Sequence, residues 1–477
     1  MTAPRTPIRT IEDLRGRRTV VLGLARSGVA ASRFLADAGA VVVAYDRRPA
    51  AELADEVAAL GARPVRLALG VDEMATVALL EHADLLVTSP SISPRYPTTD
   101  AWLREALTAA ERRGAELVSE VELFLRLTLA RILGVTGTKG KTTTASLIAA
   151  MLTRGGVSNV LGGNIGTPLV ERATELGAGD WAVLELSELQ LPTISRGADV
   201  AIYTNVTEDH LDRHGSVEAY RAVKARLAEL SAPTGHVVLN ADDPGCVALG
   251  ERLSPRLSVH RVAWYGLGQP RRTSAEAWLD DEGWLRLAGE RLIPASDVPL
   301  PGRHMLRNVI GAALAASLAG APAEAIGQAI VDFEGVPHRL ELVAERAGVR
   351  WVNDSQATIP AAAIAGLEAF DAPIVVISGG KDKGLDSAEL AEAIVARCRA
   401  AVLIGETADE LAEQLAGRLP VERAVDMRDA VLAAAHAAHA GDVVLLSPAA
   451  ASFDMFVDYA ARGEAFRAAV DALGSDR

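Results

Sequence analysis

The sequence predicts an α/β protein built on parallel sheets and divided into about three domains. Short β-branched runs alternate with Ala/Leu-rich helical stretches along the whole chain, the pattern of sheets covered on both faces. Several of those runs lead into a glycine-bearing turn and then a helix. A length of 477 residues, at roughly 150 residues per domain, sets the domain count. No stretch reads as an antiparallel sandwich.

The first element pair is Thr19–Leu22, running into the turn Gly23-Leu24-Ala25-Arg26-Ser27-Gly28, a helix to Gly39, and the strand Val41–Asp46. This is a βαβ unit whose second strand ends on an acid, where a ribose or base contact would fall. Ala25 takes the middle glycine position of a dinucleotide turn, which restricts a pyrophosphate's approach and disfavours a nicotinamide cofactor.

A second unit begins near Ser119, after the break Arg112-Arg113-Gly114. Its strand Arg131–Val135 feeds Thr136-Gly137-Thr138-Lys139-Gly140-Lys141-Thr142-Thr143-Thr144 and a helix to about Arg154. Such a turn cradles phosphate: backbone N–H groups and the helix N-terminus face the anion, Lys141 reaches the β- and γ-phosphates, and Thr142 offers a hydroxyl to Mg²⁺. Val135 stands where the full Walker pattern has its first glycine. Downstream, the buried strand Trp181–Leu184 delivers Glu185 and Ser187, and Ala201–Thr204 delivers Asn205, Glu208, Asp209, His210 and Asp212. Ligands collect at the carboxyl ends of parallel strands, so these carboxylates and His210 are expected to face the phosphate loop and to suit oxygen-preferring Mg²⁺. A surface turn would favour the same Asn, Asp and His.

Composition narrows the class. Of the 48 Lys and Arg residues, five are lysine: Lys139, Lys141, Lys224, Lys381 and Lys383. An ammonium is a compact point charge and a reactive amine, so lysines kept in an arginine-rich chain point to anionic ligands. The alternative is a base-composition bias with five accidental survivors. Lys224 sits on an evident helix, and helical lysines are ordinarily solvated, so its own pattern places it on the surface. A net charge of −14 repels a phosphate backbone and excludes nucleic acid as a partner. Cys246 and Cys398 are too few for a disulfide framework or a thiolate metal site. The N-terminal stretch is charged, and no run approaches about 18 apolar residues, so a cytoplasmic protein with no membrane partner is expected, monomeric by default.

Seven motifs in order resemble the Mur ligases, and within them the MurD group. They are Thr136–Thr144, Gly163-Asn164-Ile165-Gly166, Thr204–Asp212, Tyr220–Lys224, Pro337–Glu341, Asn353–Thr358 and Ser447–Asp454. The resemblance covers essentially the whole chain. It implies a Rossmann-like UDP-binding domain over 1–118, a central P-loop ATPase-like domain over 119–335, and a Rossmann-like glutamate-binding domain over 336–477 that closes over ATP. The implied reaction adds glutamate, as the D-isomer, to UDP-N-acetylmuramoyl-L-alanine through an acyl phosphate, in peptidoglycan precursor synthesis.

Residue by residue, the resemblance gives Gly137, Thr138, Lys139, Gly140, Lys141, Thr142, Thr143, Asn308, Arg339 and Asp354 to ATP. It gives Thr142 and Glu185 to one Mg²⁺, His210 to a second, and Lys224, as a carbamate, to metal binding. Ser27, Asp46, Arg47 and Asn164 fall to the UDP-sugar, and Thr358, Lys383, Ser452, Phe453 and Tyr459 to glutamate. Lys141, Glu185, His210 and Lys224 form the catalytic set.

The sequence departs from the family pattern at Gln356 and Ile359 (usually Lys and Asn), Glu188-Leu189 (Ser-Phe), Met305 (Asn) and Tyr459 (Phe). These positions bear on glutamate stereochemistry and nucleotide affinity. The alternatives are an L-glutamate-adding variant, a sibling Mur or folylpolyglutamate-type ligase, a non-ligating P-loop ATPase, and an NAD-dependent oxidoreductase. The ATPase leaves Lys224 without a role, and the oxidoreductase explains the first unit alone.

Overall fold

The structure, a computed structural model, describes residues 7–96, 98–207, 216–232, 234–253, 261–268, 276–300, 302–382 and 384–473. His210 and Lys383 lie outside the described residues. The chain forms two compact units, Met1–Phe333 and Glu334–Arg477, with two sheets in the first and one in the second.

The first sheet contains β1 (Arg18–Leu22), β2 (Val41–Asp46), β3 (Val65–Leu69), β4 (Leu85–Thr88) and β5 (Glu116–Ser119), in the order β3-β2-β1-β4-β5, all parallel. The helix Arg26–Asp37 covers one face because Ala30 and Phe34, Ala31 and Leu35 recur four residues apart and bury against Val21, Val42, Leu85 and Val87. Strand order reverses between β1 and β4, which opens a crevice at their carboxyl ends beside the Gly23–Leu24 turn.

The second sheet holds β6 (Arg131–Thr136), β7 (Asn159–Gly163), β8 (Trp181–Glu185), β9 (Val200–Tyr203), β10 (His236–Asn240), β11 (Val262–Gly266), β12 (Glu276–Leu279), β13 (Trp284–Leu287) and β14 (Glu290–Pro294). Its order is β14-β13-β12-β11-β10-β9-β6-β8-β7, so β6 lies between β8 and β9. The helix Lys141–Arg154 follows β6 and buries Leu147, Ile148, Met151 and Leu152 in one core with Val309, Ile310 and Leu314 of the helix Arg303–Leu318. Each such side chain contributes on the order of 2 kcal/mol, so the helix behind the phosphate loop is firmly seated.

The second unit carries β15 (Glu341–Arg346), β16 (Val349–Asn353), β17 (Ile374–Gly379), β18 (Cys398–Ile404), β19 (Val421–Arg423) and β20 (Val443–Leu446), in the order β15-β16-β20-β17-β18-β19. Ile374, Val376, Val443 and Leu445 belong to one apolar cluster, and Val375, Ile377, Val444 and Leu446 to the other. Both faces of these strands are therefore covered, as their unbroken apolar runs predict.

The sheets are not purely parallel: β12 with β13, β13 with β14 and β15 with β16 pair antiparallel. Two of these connections are two-residue turns, Ala288-Gly289 (φ 49° and 90°) and Ala347-Gly348 (φ 51° and 76°). Positive φ at both central residues gives the hairpin twist that matches the strands. An alanine at the first position disguises the usual Asn-Gly signature, so the sequence showed no hairpin there.

Candidate active site

The phosphate loop joins β6 to the helix Lys141–Arg154 through Gly137 (φ 147°) and Gly140 (φ 84°), backbone conformations that favour glycine. Close contacts exclude a side chain as well. A Cβ on Gly137 would lie 2.0 Å from Thr204 Oγ1, and one on Gly140 would lie 2.7 Å from the Asn308 amide. Asn308 is thus seated against the loop, and its Nδ2 lies 3.8 Å from Met305 Sδ, one of the departures from the family pattern. Thr142 and Thr143 are buried on the first helical turn, at the positive end of the helix dipole.

The chain leaving β9 holds this loop in shape. Asn205 accepts from Lys139 N with Oδ1 (2.9 Å) and donates to Lys139 O with Nδ2 (3.0 Å), while its carbonyl accepts from Thr138 N at 2.9 Å. Thr204 Oγ1 donates to Lys139 O at 2.6 Å. Thr138 Oγ1 lies 3.1 Å from Thr207 O, accepts from Thr207 N at 3.1 Å, and lies 2.9 Å from Tyr220 OH. Sequence reasoning placed Asn205 at the right strand end but left Asn205, Thr204 and Tyr220 out of the site, because their role depends on β9 lying beside β6.

Lys224 is fully buried, which corrects the surface placement its helical pattern suggested. The helix Val217–Glu229 presents it inward with Tyr220 one turn earlier, and its Nζ donates to Gly137 O (2.9 Å) and Thr136 Oγ1 (3.4 Å) and lies 5.4 Å from the Tyr220 ring centroid. Lys141 Nζ donates to Gly137 O (3.1 Å) and Thr138 O (2.8 Å).

Glu185 pairs with Val135 across β8 and β6, one residue short of the loop. Its Oε1 accepts from Asn164 Nδ2 at 2.8 Å, and Asn164 N donates to Glu185 O at 2.8 Å. Glu185 Oε2 is buried without a hydrogen-bond partner. A buried carboxylate oxygen left open, beside a threonine-bearing loop, fits a hard divalent cation. Among the described residues no group of three or more His, Cys, Asp or Glu is assembled for a metal.

In the first sheet, Ser27 stands in the first turn of its helix and Arg47 is exposed. Asp46 is buried and its carboxylate is occupied: Oδ2 accepts from Leu24 N (2.9 Å) and Arg48 Nη2 (3.1 Å), and Oδ1 from Arg48 N (3.0 Å) and Arg48 Nε (3.1 Å). Burial raises its pKa, and these bonds more than offset that, so the group stays below the usual carboxylate range. Asp46 therefore shapes the Gly23–Leu24 turn from inside.

In the second unit, Asp354, Ser447 and Gly380 follow the adjacent strands β16, β20 and β17. Asp354 Oδ2 accepts from Ser447 Oγ (2.9 Å) and Oδ1 from Leu340 N (3.2 Å). Burial pushes its pKa up to about 7, against the pull of Ser447, Leu340 N and Arg339. Thr358 is half-buried and Ser452 buried, and Phe453 is 71 % exposed. Tyr459 meets His338 edge to face, with centroids 6.2 Å apart. Ile359, another departure, is the N-cap of the helix Pro360–Leu367 and supplies no side-chain acceptor there. Gln356 is half-buried with its N–H on His338 O, and Glu188 in the first unit is buried. Ser355 lies within the motif Asn353–Thr358 but was given no role there, and Arg462, which links these segments, carried no sequence signal.

No helix among the described residues is long and apolar enough to cross a membrane. Residues 17–118 match the family described as Mur ligase MurD-like, N-terminal domain, residues 135–316 the Mur ligase middle domain, and residues 338–450 the Mur ligase glutamate ligase domain. The chain is 42 % identical over 462 residues to the UDP-N-acetylmuramoylalanine–D-glutamate ligase of Solibacter usitatus (strain Ellin6076), covering 96 % of this chain and 99 % of that one. It is 42 % identical over 472 residues to the protein of the same name from Anaeromyxobacter dehalogenans (strain 2CP-C), covering 95 % and 97 %. Among solved structures, its fold resembles the UDP-N-acetylmuramate-alanine ligase MurC of Thermotoga maritima, with TM-score 0.57 at 17 % identity over 97 % of this chain and 100 % of that one. With full-length identity at this level and all three family domains in order, the chain belongs to the Mur ligase family.

Proposed function

We propose that this chain is the ATP-dependent ligase that joins D-glutamate to UDP-N-acetylmuramoyl-L-alanine in peptidoglycan precursor synthesis. The observation that carries the reading is Lys224, buried on a helix with its ammonium on the carbonyl of Gly137 in the phosphate loop. The names of the full-length relatives supply the substrate and the D-isomer.

In this reading the domains are 1–118, 119–335 and 336–477. The alanyl carboxylate oxygen attacks the γ-phosphorus of ATP, the bond to the β-phosphate oxygen breaks, and an acyl phosphate and ADP result. The glutamate amine then attacks the acyl carbon, loses a proton, and expels phosphate to leave an amide. Catalysis of such transfers is positioning and charge neutralisation. Lys141 and the N–H groups from Gly140 to Thr143 would bind the β- and γ-phosphates, with Asn308 against Gly140, and Asn205 on Thr138 N and Lys139 N, keeping the loop in shape around them. Arg339 and Asp354 would hold the nucleotide from the second unit. Magnesium, two ions in the full reading, would be held by Thr142, Glu185, His210 and the carbamate of Lys224, and would neutralise phosphate charge. The buried, unpartnered Glu185 Oε2 supports that donor set. Asn164, bonded to Glu185 Oε1, would orient the muramoyl group while fixing that carboxylate. Ser27, Asp46 and Arg47 would line the uridine end, and Thr358, Lys383, Ser452, Phe453 and Tyr459 the glutamate pocket. The protein acts as a cytoplasmic monomer in this reading.

The test is phosphate release with ATP, Mg²⁺ and UDP-N-acetylmuramoyl-L-alanine, run in parallel with D- and L-glutamate. Release with D-glutamate is expected. Release with L-glutamate alone would reassign the stereochemistry, and release with neither would remove the ligase reading.

A further inference from the structure

Arg462 is 1 % exposed in the first turn of the helix Tyr459–Ala472. Its Nη1 donates to Ala450 O and Ala451 O (3.1 Å each), its Nη2 to Ser355 O (2.9 Å), and its Nε to Ser355 Oγ (3.0 Å). Ser355 Oγ in turn donates to Tyr459 O at 2.7 Å, and Ala451 O also accepts from Lys381 N at 2.9 Å. A Cβ on Gly380 would sit 2.2 Å from Ala451 O and 3.0 Å from Arg462 Nη1, so that segment passes directly against the guanidinium. One side chain therefore joins four segments: the one after β16 with Asp354 and Thr358, the one after β17 leading to Lys383, the one after β20 with Ser452, and the helix start with Tyr459.

The four hydrogen-bonded acceptors are neutral oxygens. Burying a charge without a bonded counter-charge is costly, and hydrophobic packing of similar volume would be cheaper. Burial drives the guanidinium down to about 10, and Asp454 is the carboxylate that acts against this. A planar fork that reaches three carbonyls and a hydroxyl is the feature a hydrophobic replacement, or lysine, lacks.

We propose that Arg462 is the positioning residue of the amino-acid pocket, setting the spacing of Thr358, Ser452 and Tyr459 through Ser355, Ala450 and Ala451. The proposal rests on the glutamate-ligase reading and names a residue that touches none of the reacting atoms. Arg462→Lys keeps the charge and loses the fork. Its KM for glutamate is expected to rise by about tenfold or more, the scale of lost hydrogen bonds to a charged group. Its KM for UDP-N-acetylmuramoyl-L-alanine stays within about twofold, because the contacts proposed for that substrate lie in the first unit.

Ser355→Ala removes the hydroxyl relay with little change of volume and decides the matter if Arg462→Lys does not fold. It is expected to raise the glutamate KM in the same direction by a smaller factor. A loss confined to kcat, or KM values for glutamate and the nucleotide-sugar that move together, would overturn the positioning role. Wild-type protein assayed alongside separates the two levels: turnover in the wild type with an unshifted glutamate KM in both variants sinks this proposal alone, and no wild-type turnover sinks the ligase reading with it.

Discussion

Lys141 and Lys224 meet on one oxygen: their Nζ atoms lie 3.1 Å and 2.9 Å from the carbonyl of Gly137. Two ammonium groups that share one acceptor lie close enough to repel each other. An anion bound between them, or conversion of one to an anion, relieves that repulsion. In the proposed reading the loop takes phosphate, and Lys224 is the lysine whose conversion to a carbamate would replace a buried cation with an anion.

Lys224→Ala is expected to lower kcat by about a hundredfold or more, the range for removing a preorganised charged group. Short-chain carboxylates added to the assay are expected to restore part of it by taking the carbamate's place. Steady-state phosphate release reads both effects, and normal turnover in the mutant would refute the assignment.

Asn205→Ala removes a bidentate contact with the Lys139 backbone. Loss of these two exposed hydrogen bonds is expected to cost about 1 kcal/mol, appearing as weaker ATP binding with little change in the affinity for the nucleotide-sugar. Titration calorimetry on the folded variant distinguishes this from general destabilisation, which would weaken both.

Glu120, at the start of the helix Glu120–Leu127, is buried with its Oε1 on Val170 N at 2.9 Å. Burial pushes its pKa up to about 7, opposed by the Val170 and Leu169 N–H groups and reinforced by Glu171. The folded state then holds more protons than the unfolded one between about 4.5 and about 7, so stability falls as pH rises through that window. The full change is on the order of 3 kcal/mol. Glu120→Gln carries no such slope, and urea midpoints at about pH 5 and about pH 8 should therefore diverge from wild type with rising pH. Parallel curves would exclude Glu120 as the source.

Asp354 also titrates at about 7, raised chiefly by burial. If its carboxylate form accepts from the nucleotide, kcat/KM for ATP rises with pH through about 7. Ser447→Ala deletes the bond that favours the carboxylate, so the inflection is expected to move to higher pH, and Asp354→Asn should abolish it. An inflection unmoved by Ser447→Ala would assign the titration elsewhere.

What the sequence determined by itself was local: β-branched runs, the strand–glycine turn–helix around Gly137 to Thr142, and the acid at the end of β2. Each depends on neighbours within a few residues, where periodicity and turn chemistry act. The resemblance supplied the roles, including that of a helical lysine its own pattern would have left in solvent. Tertiary structure decided that Lys224 is buried, that Asn205 grips Lys139, that Asp46 is saturated by Arg48 and Leu24, and that Arg462 joins four segments. These depend on strand order, with β6 between β8 and β9, and β20 between β16 and β17. The physical reason is that adjacency in a parallel sheet is set by long crossover connections, so residues more than 60 apart in sequence, such as Lys139 and Asn205, become hydrogen-bonded neighbours only when the sheet assembles.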